Sequence, residues 1–482
     1  MKIQNIIEEL SSVKVTGNTD RIVTGLTFDS RDIHENELFV AVKGTIADGH
    51  DFIDQAISRG ASSILCETVT GEIRDDITYL VVPDTRIALG QIASLYYGHP
   101  SRELKLIGIT GTNGKTTTAT LLYNLNISLG YSAGLLSTIE IRINGRTFTA
   151  THTTPDPLKI NYYLRKMVDA GCEYCFMEVS SHAVSQERIA GLTFRGGVFT
   201  NLTHDHLDYH SSFKEYLEAK KSFFDRLSVD AFALVNKDDR NGKVMIQNTA
   251  ATVYTYSLTG SADFKGRIIE MGLDGTHIDI NGKELWTRLP GKFNVSNILA
   301  VYGTAFLSGH AETDILRAIS EMGPVRGRFE IIRGQNNILA VIDYAHTPDA
   351  LLNVLQTISE VLPRGSKVLT VVGAGGNRDR TKRPKLAQIA VAYSNRVILT
   401  SDNPRNEDPE VIIAEMAAGL TESQMQNVMR ITGREDAIKT ACMLAGPGDV
   451  ILVAGKGHEA YQEIKGRRYP FGDVDIVRKN LK

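Results

Sequence analysis

The chain has 482 residues, which is too long for one hydrophobic core and predicts about three domains of ordinary size. Hydrophobic residues make up 42% and charged residues 23%, and 53 basic against 56 acidic residues give a formal net charge of −3. This balance is typical of soluble globular proteins and gives no indication of a nucleic-acid or membrane partner.

The amino-terminal stretch MKIQNIIEELSSVKV lacks the apolar run and cleavage site of a secretory signal, and no apolar run has membrane-spanning length. We therefore expect a cytoplasmic protein. Four cysteines in so long a chain do not make a disulfide framework. Cys172 and Cys175 form a CxxC with no second pair, and CEYCFMEV is typical of entry into a buried strand, so we expect plain core thiols.

Short apolar strands alternate with amphipathic helices in three successive blocks, which predicts α/β domains. The first block contains the predicted strands LTFDS, ELFVAVKG and SSILCE and the predicted helices FIDQAISRG and TRIALGQIASLYYG. GHPSRE at 98–103 is a plausible linker, and a second Gly and Pro cluster, GPVRGRFE, precedes the third block. We therefore place the domains at 1–100, 101–330 and 331–482.

In the third block, polar and glycine-rich segments follow directly after each predicted strand, as in VIDYAHTPD, TVVGAGGNRD, ILTSDNPR and ILVAGKGHE. Open parallel sheets bind ligands at the carboxyl ends of their strands. These four segments are therefore candidates for one binding site.

The stretch GITGTNGKTTT at 108–118 resembles a phosphate-binding loop but departs from the strict Walker A pattern, because Ile109 stands where that pattern requires glycine. A strand, a glycine turn at Gly111 and Gly114, Lys115 as a point charge and a helix behind them are nevertheless present. Thr116 is placed to bind Mg²⁺. The loop therefore predicts binding of a nucleoside triphosphate.

GTNGKTT is also the ATP-binding signature of the Mur ligases, and the chain resembles that family over nearly its whole length. FDSR, HTTPD, EVSSHAVSQERI, TNLTHDHLDYH, EAKKSFF, GRFE, DYAHTPDAL, SDNPR and GKGHE carry the resemblance, most closely to the diaminopimelate-adding members. It implies an N-terminal UDP-binding α/β domain, a central P-loop-type ATPase domain with a parallel sheet, and a C-terminal Rossmann-like domain. It also implies a monomer.

The implied reaction is ATP-dependent addition of meso-2,6-diaminopimelate to UDP-N-acetylmuramoyl-L-alanyl-D-glutamate through an acyl phosphate, in cytoplasmic peptidoglycan precursor synthesis. Glu178, after an apolar strand, and His206, in DHLDYH, can reach one Mg²⁺, and the resemblance gives them that role. The resemblance also implies a carbamylated lysine at Lys220 that holds a second Mg²⁺. Lys221 is the alternative position.

The resemblance assigns further residues to ATP and to the UDP substrate. The ATP residues are Gly111, Thr112, Asn113, Gly114, Lys115, Thr116, Thr117, Asn297, Arg328 and Asp343, with Asn294 and His346 in related positions. The UDP-substrate residues are Phe28, Ser30, Thr153, Thr154, Ser180, Gln186 and Arg188. Hydroxyls and amides suit a sugar phosphate, and arginine suits an anion.

The third block indicates which amino acid is added. Diaminopimelate carries a second carboxylate that lysine lacks, and arginine is the planar bidentate donor that such a carboxylate requires. Arg405 in SDNPR is that donor by resemblance, while Glu459 is suited to the distal ammonium. The implied pocket comprises Arg378, Asp402, Asn403, Pro404, Arg405, Gly455 and Glu459.

Three alternatives remain open on the sequence. The same reaction could use L-lysine, or the chain could be a folylpolyglutamate-type ligase, although DNPR and HTTPD argue against the latter. A nucleotide-operated binding protein without turnover is the third, and the presence of Lys115, Glu178, His206 and Lys220 argues against it. Because the ATP site and amino-acid pocket are predicted on different domains, we also expect closure on binding.

Overall fold

Three separate β-sheets, each associated with helices, follow one another along the chain in the computed structural model. They correspond to the three predicted α/β blocks. The structure describes residues 1–44, 47–150, 152–205, 209–363 and 365–481.

The amino-terminal sheet has five strands, four of which run parallel, while the first strand in the chain pairs antiparallel at one edge. In spatial order the strands are Lys14–Thr16, Thr78–Val81, Ala61–Cys66, Glu37–Val40 and Leu26–Thr27. The helices of this unit are Ile3–Glu9, Gly49–Phe52 (a 3₁₀ helix), Ile53–Ser58 and Thr85–Tyr96. Asp84 caps the last helix by accepting from two backbone amides.

The middle sheet has eleven strands. In spatial order they are Lys283–Thr287, Gly275–Ile280, Phe264–Gly272, Thr252–Ser257, Phe232–Asn236, Gly196–Phe199, Lys105–Thr110, Tyr174–Glu178, Ala133–Leu136, Glu140–Ile143 and Arg146–Thr149. The helices of this unit are Pro100–Glu103, Lys115–Ser128, Pro157–Asp169, Ser181–Ser185, Phe213–Asp225, Gly242–Met245, Lys292–Leu307 and Glu312–Glu321.

The centre of the middle sheet is parallel, as predicted, but both edges are antiparallel extensions. The parallel strands are buried on both faces and are therefore almost continuously apolar. Strand Lys105–Thr110 lies between Tyr174–Glu178 and Gly196–Phe199. The loops after these three strands therefore meet at one edge of the sheet, where ligands bind in open α/β folds.

The carboxyl-terminal sheet has six strands, of which all but the first in the chain are parallel. In spatial order they are Glu330–Arg333, Leu339–Asp343, Val450–Ala454, Val368–Ala374, Arg396–Ser401 and Val428–Arg430, and a separate hairpin pairs Tyr461–Ile464 with Arg467–Pro470. The helices are Gln335–Asn337 (a 3₁₀ helix), Pro348–Val361, Lys382–Tyr393, Pro409–Ala417, Glu422–Met425, Arg434–Leu444 and Asp473–Asn480.

Buried apolar clusters cover both faces of the middle sheet and both faces of the carboxyl-terminal sheet. The two predicted helices and the strand SSILCE of the first block are confirmed, while the strands predicted as LTFDS and ELFVAVKG are shorter, at Leu26–Thr27 and Glu37–Val40. Helix Ile3–Glu9 and strands Lys14–Thr16 and Thr78–Val81 were not predicted. Cys172 and Cys175 are buried free thiols, as expected. None of the described helices combines the length and apolar character needed to cross a membrane. The domain limits near 100 and 330 stay a prediction.

The hydroxyl of Thr347 caps helix Pro348–Val361 by accepting from the Ala350 amide at 3.2 Å, and the residue is fully buried. We expect Thr347→Val, which keeps the shape but loses the hydroxyl, to lower the free energy of unfolding by about 1 kcal/mol. Urea denaturation measures this change. Thr440→Val is the control, because that exposed hydroxyl bonds only the Asp436 carbonyl of its own helix; an equal loss there would contradict a capping effect.

Candidate active site

The phosphate loop joins strand Lys105–Thr110 to helix Lys115–Ser128 through two glycines with positive φ, Gly111 at 152° and Gly114 at 85°. A side chain on Gly111 would collide with the Thr200 hydroxyl, so glycine is required there by close packing as well as by conformation. The turn ends at the amino terminus of a 14-residue helix, whose free amides favour an anion.

Two lysines converge on this loop. The Nζ of Lys115 donates to the carbonyls of Gly111 and Thr112, each at 2.8 Å, and the Nζ of Lys220 donates to the Gly111 carbonyl at 2.8 Å. Burial lowers the pKa of Lys115, which the carboxylates of Glu178 and Asp205 partly oppose. The region is thus poorly hydrated, and charge interactions are strong there.

The structure distinguishes Lys220 from its neighbour. Lys220 is 1% exposed and its Nζ lies 4.8 Å from the centre of the Tyr216 ring. Burial and then the charge of Lys115 hold the pKa of Lys220 well below its usual range. Lys221 instead forms an ion pair with Asp225 at 2.7 Å. Of the two, Lys220 is the one directed into the loop.

Glu178 ends the strand next to the phosphate loop and is completely buried. Its two carboxylate oxygens accept from the amide of Thr138 at 2.7 Å and from the Thr138 hydroxyl at 3.1 Å. Thr116 is buried at the start of the loop helix, and its hydroxyl accepts from Arg328 at 3.1 Å. His206 was predicted beside them but lies outside the described residues.

The predicted UDP-substrate residues of the middle unit form a connected polar cluster. The Thr154 hydroxyl donates to the Glu178 carbonyl at 2.8 Å and accepts from the Ser180 amide at 3.1 Å. Arg188 donates to the Thr154 carbonyl at 2.7 Å and to the Gln186 side chain at 2.6 and 3.0 Å. The cluster is continuous with the strand end that carries Glu178.

The carboxyl-terminal unit contacts the phosphate loop directly. The Asn113 side chain donates to Asp349 at 3.1 Å, and Arg328, which bonds Thr116, also lies 4.4 Å from the Tyr344 ring centre. Asp343 is buried and accepts from the amides of Phe329 and Ala345, each at 2.7 Å. Burial raises the pKa of Asp343, while the charge of Arg328 opposes the rise.

The loops after three parallel strands of the carboxyl-terminal sheet carry the predicted amino-acid pocket. Asn403 is 3% exposed; its side chain donates to Glu459 at 2.8 Å and accepts from Lys456 at 3.0 Å. Burial raises the pKa of Asp402, but the charges of Lys456 and Arg434 outweigh it and hold this pKa below its usual range. The pocket therefore contains an ionised carboxylate at Asp402.

One cavity of about 760 Å³ joins these groups. The predicted residues that line it are Thr112 to Thr117, Thr153, Thr154, Glu178, Ser180, Arg188, Lys220, Asn297, Arg328, Asp343, His346, Arg378, Asp402, Asn403, Arg405, Gly455 and Glu459. Of the described residues that were predicted, Phe28, Ser30, Gly111, Gln186, Asn294 and Pro404 are outside its lining. Ser30 bonds Gln55 in the amino-terminal unit, and Asn294 bonds a carbonyl of its own helix start.

Sequence reasoning missed five residues that contribute to this site. Thr138 orients Glu178, Asp349 holds the phosphate loop, and Lys456 joins Asn403 to Glu459. Asp205 and Lys382 join the middle and carboxyl-terminal units at 3.3 Å. Asp349 and Lys456 stand inside quoted motifs and could have been found there, whereas Thr138 and Lys382 have no local signal of their own.

Comparison with known proteins follows the same three blocks. Residues 22–97 match the model of the Mur ligase family catalytic domain, residues 109–305 the Mur ligase middle domain, and residues 327–457 the Mur ligase glutamate ligase domain. A protein of Bacteroides fragilis is 52% identical over 479 residues, which cover 99% of each chain. The chain belongs to the Mur ligase family.

Family members are ATP-dependent amino acid ligases of peptidoglycan synthesis, and this Mur ligase is such an enzyme. The Bacteroides fragilis relative and one of Cytophaga hutchinsonii, 52% identical over 482 residues with 100% and 99% coverage, are both named UDP-N-acetylmuramoyl-L-alanyl-D-glutamate--2,6-diaminopimelate ligase. A solved structure with that name is 32% identical, with a TM-score of 0.69 and 100% and 98% coverage. The predicted three-domain Mur ligase architecture is confirmed.

Proposed function

We propose that this Mur ligase adds meso-2,6-diaminopimelate to UDP-N-acetylmuramoyl-L-alanyl-D-glutamate. The observation that carries the proposal is that Arg405, Asp402 and Glu459 line the same cavity as the phosphate loop. Relatives that are 52% identical over the full length are named for that reaction, which supports the same substrate here. The full-length match also favours this reaction over folate chemistry.

In the proposed mechanism, the terminal phosphoryl group of ATP is transferred to the γ-carboxylate of the D-glutamyl residue. An acyl phosphate forms and ADP leaves; the diaminopimelate amine then attacks the acyl carbon and phosphate departs with its oxygen. Two anions must meet in the first step, so cationic side chains are essential. Lys115, on the phosphate loop, and Arg328, bonded to Thr116, are placed to supply that charge.

The site suits Mg²⁺, which takes few protein ligands, prefers oxygen and keeps several waters. The Thr116 hydroxyl and the Glu178 carboxylate both line the cavity, and His206 is a further candidate by family resemblance. Mg²⁺ would neutralise phosphate charge during transfer.

We also propose that Lys220 is carbamylated. The reaction with carbon dioxide requires the neutral amine, and the buried position of Lys220 favours that form. The product is an anion beside the phosphate loop that could help to hold a second Mg²⁺. Lys221, paired with Asp225, lacks both features.

We assign the parts of the UDP-dipeptide substrate to residues of the amino-terminal and middle units. Phe28 and Ser30 lie in the amino-terminal unit and would bind the uridine diphosphate portion. Thr153, Thr154, Ser180 and Arg188 line the cavity beside Glu178 and would direct the dipeptide carboxylate toward ATP. Gln186 would act through Arg188, because its side-chain oxygen accepts two hydrogen bonds from the Arg188 guanidinium. Asn297 and Asp343 would contact the nucleotide.

The carboxyl-terminal pocket is complementary to the distal end of diaminopimelate. Arg405 and Arg378 would bind the distal carboxylate, because a guanidinium can donate two parallel hydrogen bonds to it. Asp402 and Glu459 would receive the distal ammonium. The Oδ2 atom of Asp402 is buried and accepts no hydrogen bond from the described residues, so it is available for a donor. Asn403, Pro404 and Gly455 shape this pocket.

We further propose that the enzyme acts as a monomer in the cytoplasm, with domains at 1–100, 101–330 and 331–482. The buried free thiols of Cys66, Cys172 and Cys175 suit a reducing compartment.

The experiment that tests this function is substrate-dependent phosphate release with the UDP-dipeptide and either diaminopimelate or L-lysine. We expect wild type to prefer diaminopimelate and Arg405→Ala to lose about ten- to a hundredfold of that preference, because charge-assisted bonds to a carboxylate contribute roughly 1.5–3 kcal/mol. Arg405→Lys is the matched variant; it keeps the charge but not the planar fork, so an intermediate preference is expected.

If wild type used lysine as well as diaminopimelate, the protein would still be a ligase of this family, but the proposed preference for diaminopimelate would be wrong. Phosphate release that depends on a folate and glutamate, and not on the UDP-dipeptide, would replace the proposed substrate altogether.

A further inference from the structure

The two arginines of the proposed amino-acid pocket come from different loops. Arg378 follows one strand of the carboxyl-terminal sheet and Arg405 follows its parallel neighbour. Gly375 lies between them: a Cβ atom placed on it would stand 3.0 Å from Nη1 of Arg405 and 3.6 Å from Cγ of Arg378. The distance between the guanidinium groups therefore depends on how these two loops are held against each other.

The two loops are joined by direct hydrogen bonds between their residues. The Gly376 amide donates to the Asn403 carbonyl at 2.9 Å, and Nη1 of Arg405 donates to the Gly376 carbonyl at 2.7 Å. The Asn377 side chain accepts from the Asn406 amide at 3.0 Å. Each loop thus supplies donors and acceptors to the other.

Both loops contain a residue in the left-handed region, Asn377 with φ 51° and Arg405 with φ 51°. Such a conformation is uncommon for residues other than glycine and persists only where the surroundings enforce it. A group that fixes both loops at once would provide that enforcement.

The ion pair between buried Arg383 and partly buried Glu407 is such a group. Arg383 is fully buried and donates to both oxygens of Glu407, at 2.9 and 3.0 Å, and to Glu415 at 2.6 Å. Arg383 also donates to the Gly375 carbonyl at 3.3 Å, and Glu407 accepts from the Asn377 amide. Glu407 belongs to the second loop, yet both partners bond the first.

Glu407 in this pair stays ionised. The bonded Arg383 guanidinium holds the pKa of Glu407 at about 2, so the carboxylate is ionised throughout the working range of pH. Arg380 also contacts Glu407, at 3.1 Å, but its side chain is 63% exposed and its contribution is correspondingly small.

We propose that Arg383 and Glu407 are positioning residues that fix the loops of Arg378 and Arg405 relative to each other, and thereby set the affinity for an amino-acid substrate with a distal carboxylate. This inference rests on the proposed function. Neither side chain lines the cavity, so the effect is exerted through the two arginines rather than by contact with substrate.

The test is steady-state phosphate release by Glu407→Gln in the full-length enzyme, with diaminopimelate varied at saturating ATP and UDP-dipeptide. We expect the KM for diaminopimelate to rise about tenfold or more while kcat stays within about twofold, since misplacement of binding groups weakens binding steeply. Arg383→Lys, which keeps the charge but cannot bridge both loops, should raise KM in the same way. Arg380→Gln is the control and should leave KM within about twofold.

A fall in kcat at unchanged KM would show loss of folded enzyme only and would overturn the proposal. An unchanged KM in Glu407→Gln and Arg383→Lys, with a raised KM in Arg405→Ala, would also overturn it while leaving the proposed function intact. If Arg405→Ala too leaves KM and preference unchanged, the proposed pocket itself fails, and the positioning role fails with it.

Discussion

Lys115→Met should lower kcat for ATP-dependent ligation by on the order of 10²–10³, because it removes a preorganised positive charge from the phosphate loop. The Lys115 ammonium bonds the carbonyls of Gly111 and Thr112 at 2.8 Å, so it is already held at the loop before nucleotide binds. Little reorganisation is then required when phosphate charge moves during transfer. Single-turnover phosphate release at saturating substrates measures the chemical step directly.

Lys105→Met is the matched control. Lys105 starts the strand that leads into the same loop, but its side chain is exposed and bonds the Tyr174 hydroxyl at 2.9 Å, away from the cavity. We expect its kcat to stay within about twofold of wild type. If Lys115→Met raised only the KM for ATP and left kcat unchanged, the lysine would bind ATP without stabilising the transfer.

The phosphate loop shows how much the sequence can predict. Its glycines, lysine and following helix were all found from the motif and lie as expected. The departure from Walker A at Ile109 also has a physical reason: this residue is a fully buried member of the strand, so the glycine turn begins only at Gly111. Local chemistry of this kind is readable because loop and helix are contiguous in the chain.

Contacts between distant segments were not predictable in the same way. The Thr138 bonds to Glu178 join residues 40 apart, and the Lys382 bond to Asp205 joins residues 177 apart. Nothing local in the sequence marks such partners, because their proximity is set by the order of strands in a sheet or by the docking of two units. The antiparallel edges of the middle sheet are a different case: two of their strand pairs are joined by the two-residue turns Asn144-Gly145 and Asn281-Gly282, a local hairpin signal that could have been found in the sequence.

The choice between Lys220 and Lys221 could be predicted only in part from the sequence. Both stand in one amphipathic helix, Phe213–Asp225, and the sequence alone favoured neither on physical grounds; family resemblance favoured the first. The helix has the buried face at Lys220, with Tyr216 one turn earlier, while Lys221 is on the face that carries Asp225. Helical phase becomes decisive only when the packed face is known.

We expect Lys220→Met to lower kcat at least about a hundredfold, because it removes a charged group from beside the phosphate loop. Lys221→Met should stay within about threefold of wild type, since a partly exposed ion pair contributes little. Methionine is unbranched and similar in volume to lysine, so both substitutions change the packing little. Steady-state phosphate release under matched conditions measures both.

The same pair of variants tests carbamylation. Burial and Lys115 hold the pKa of Lys220 well below its usual range, so its neutral, carbon dioxide-reactive form exists at a lower pH than for an ordinary lysine and is lost as pH falls further. Wild type and Lys221→Met should lose activity in buffer stripped of carbon dioxide and regain it with bicarbonate, more slowly at lower pH. Dependence on bicarbonate that disappears in Lys221→Met and persists in Lys220→Met would move the modification to Lys221, against the geometry of the helix.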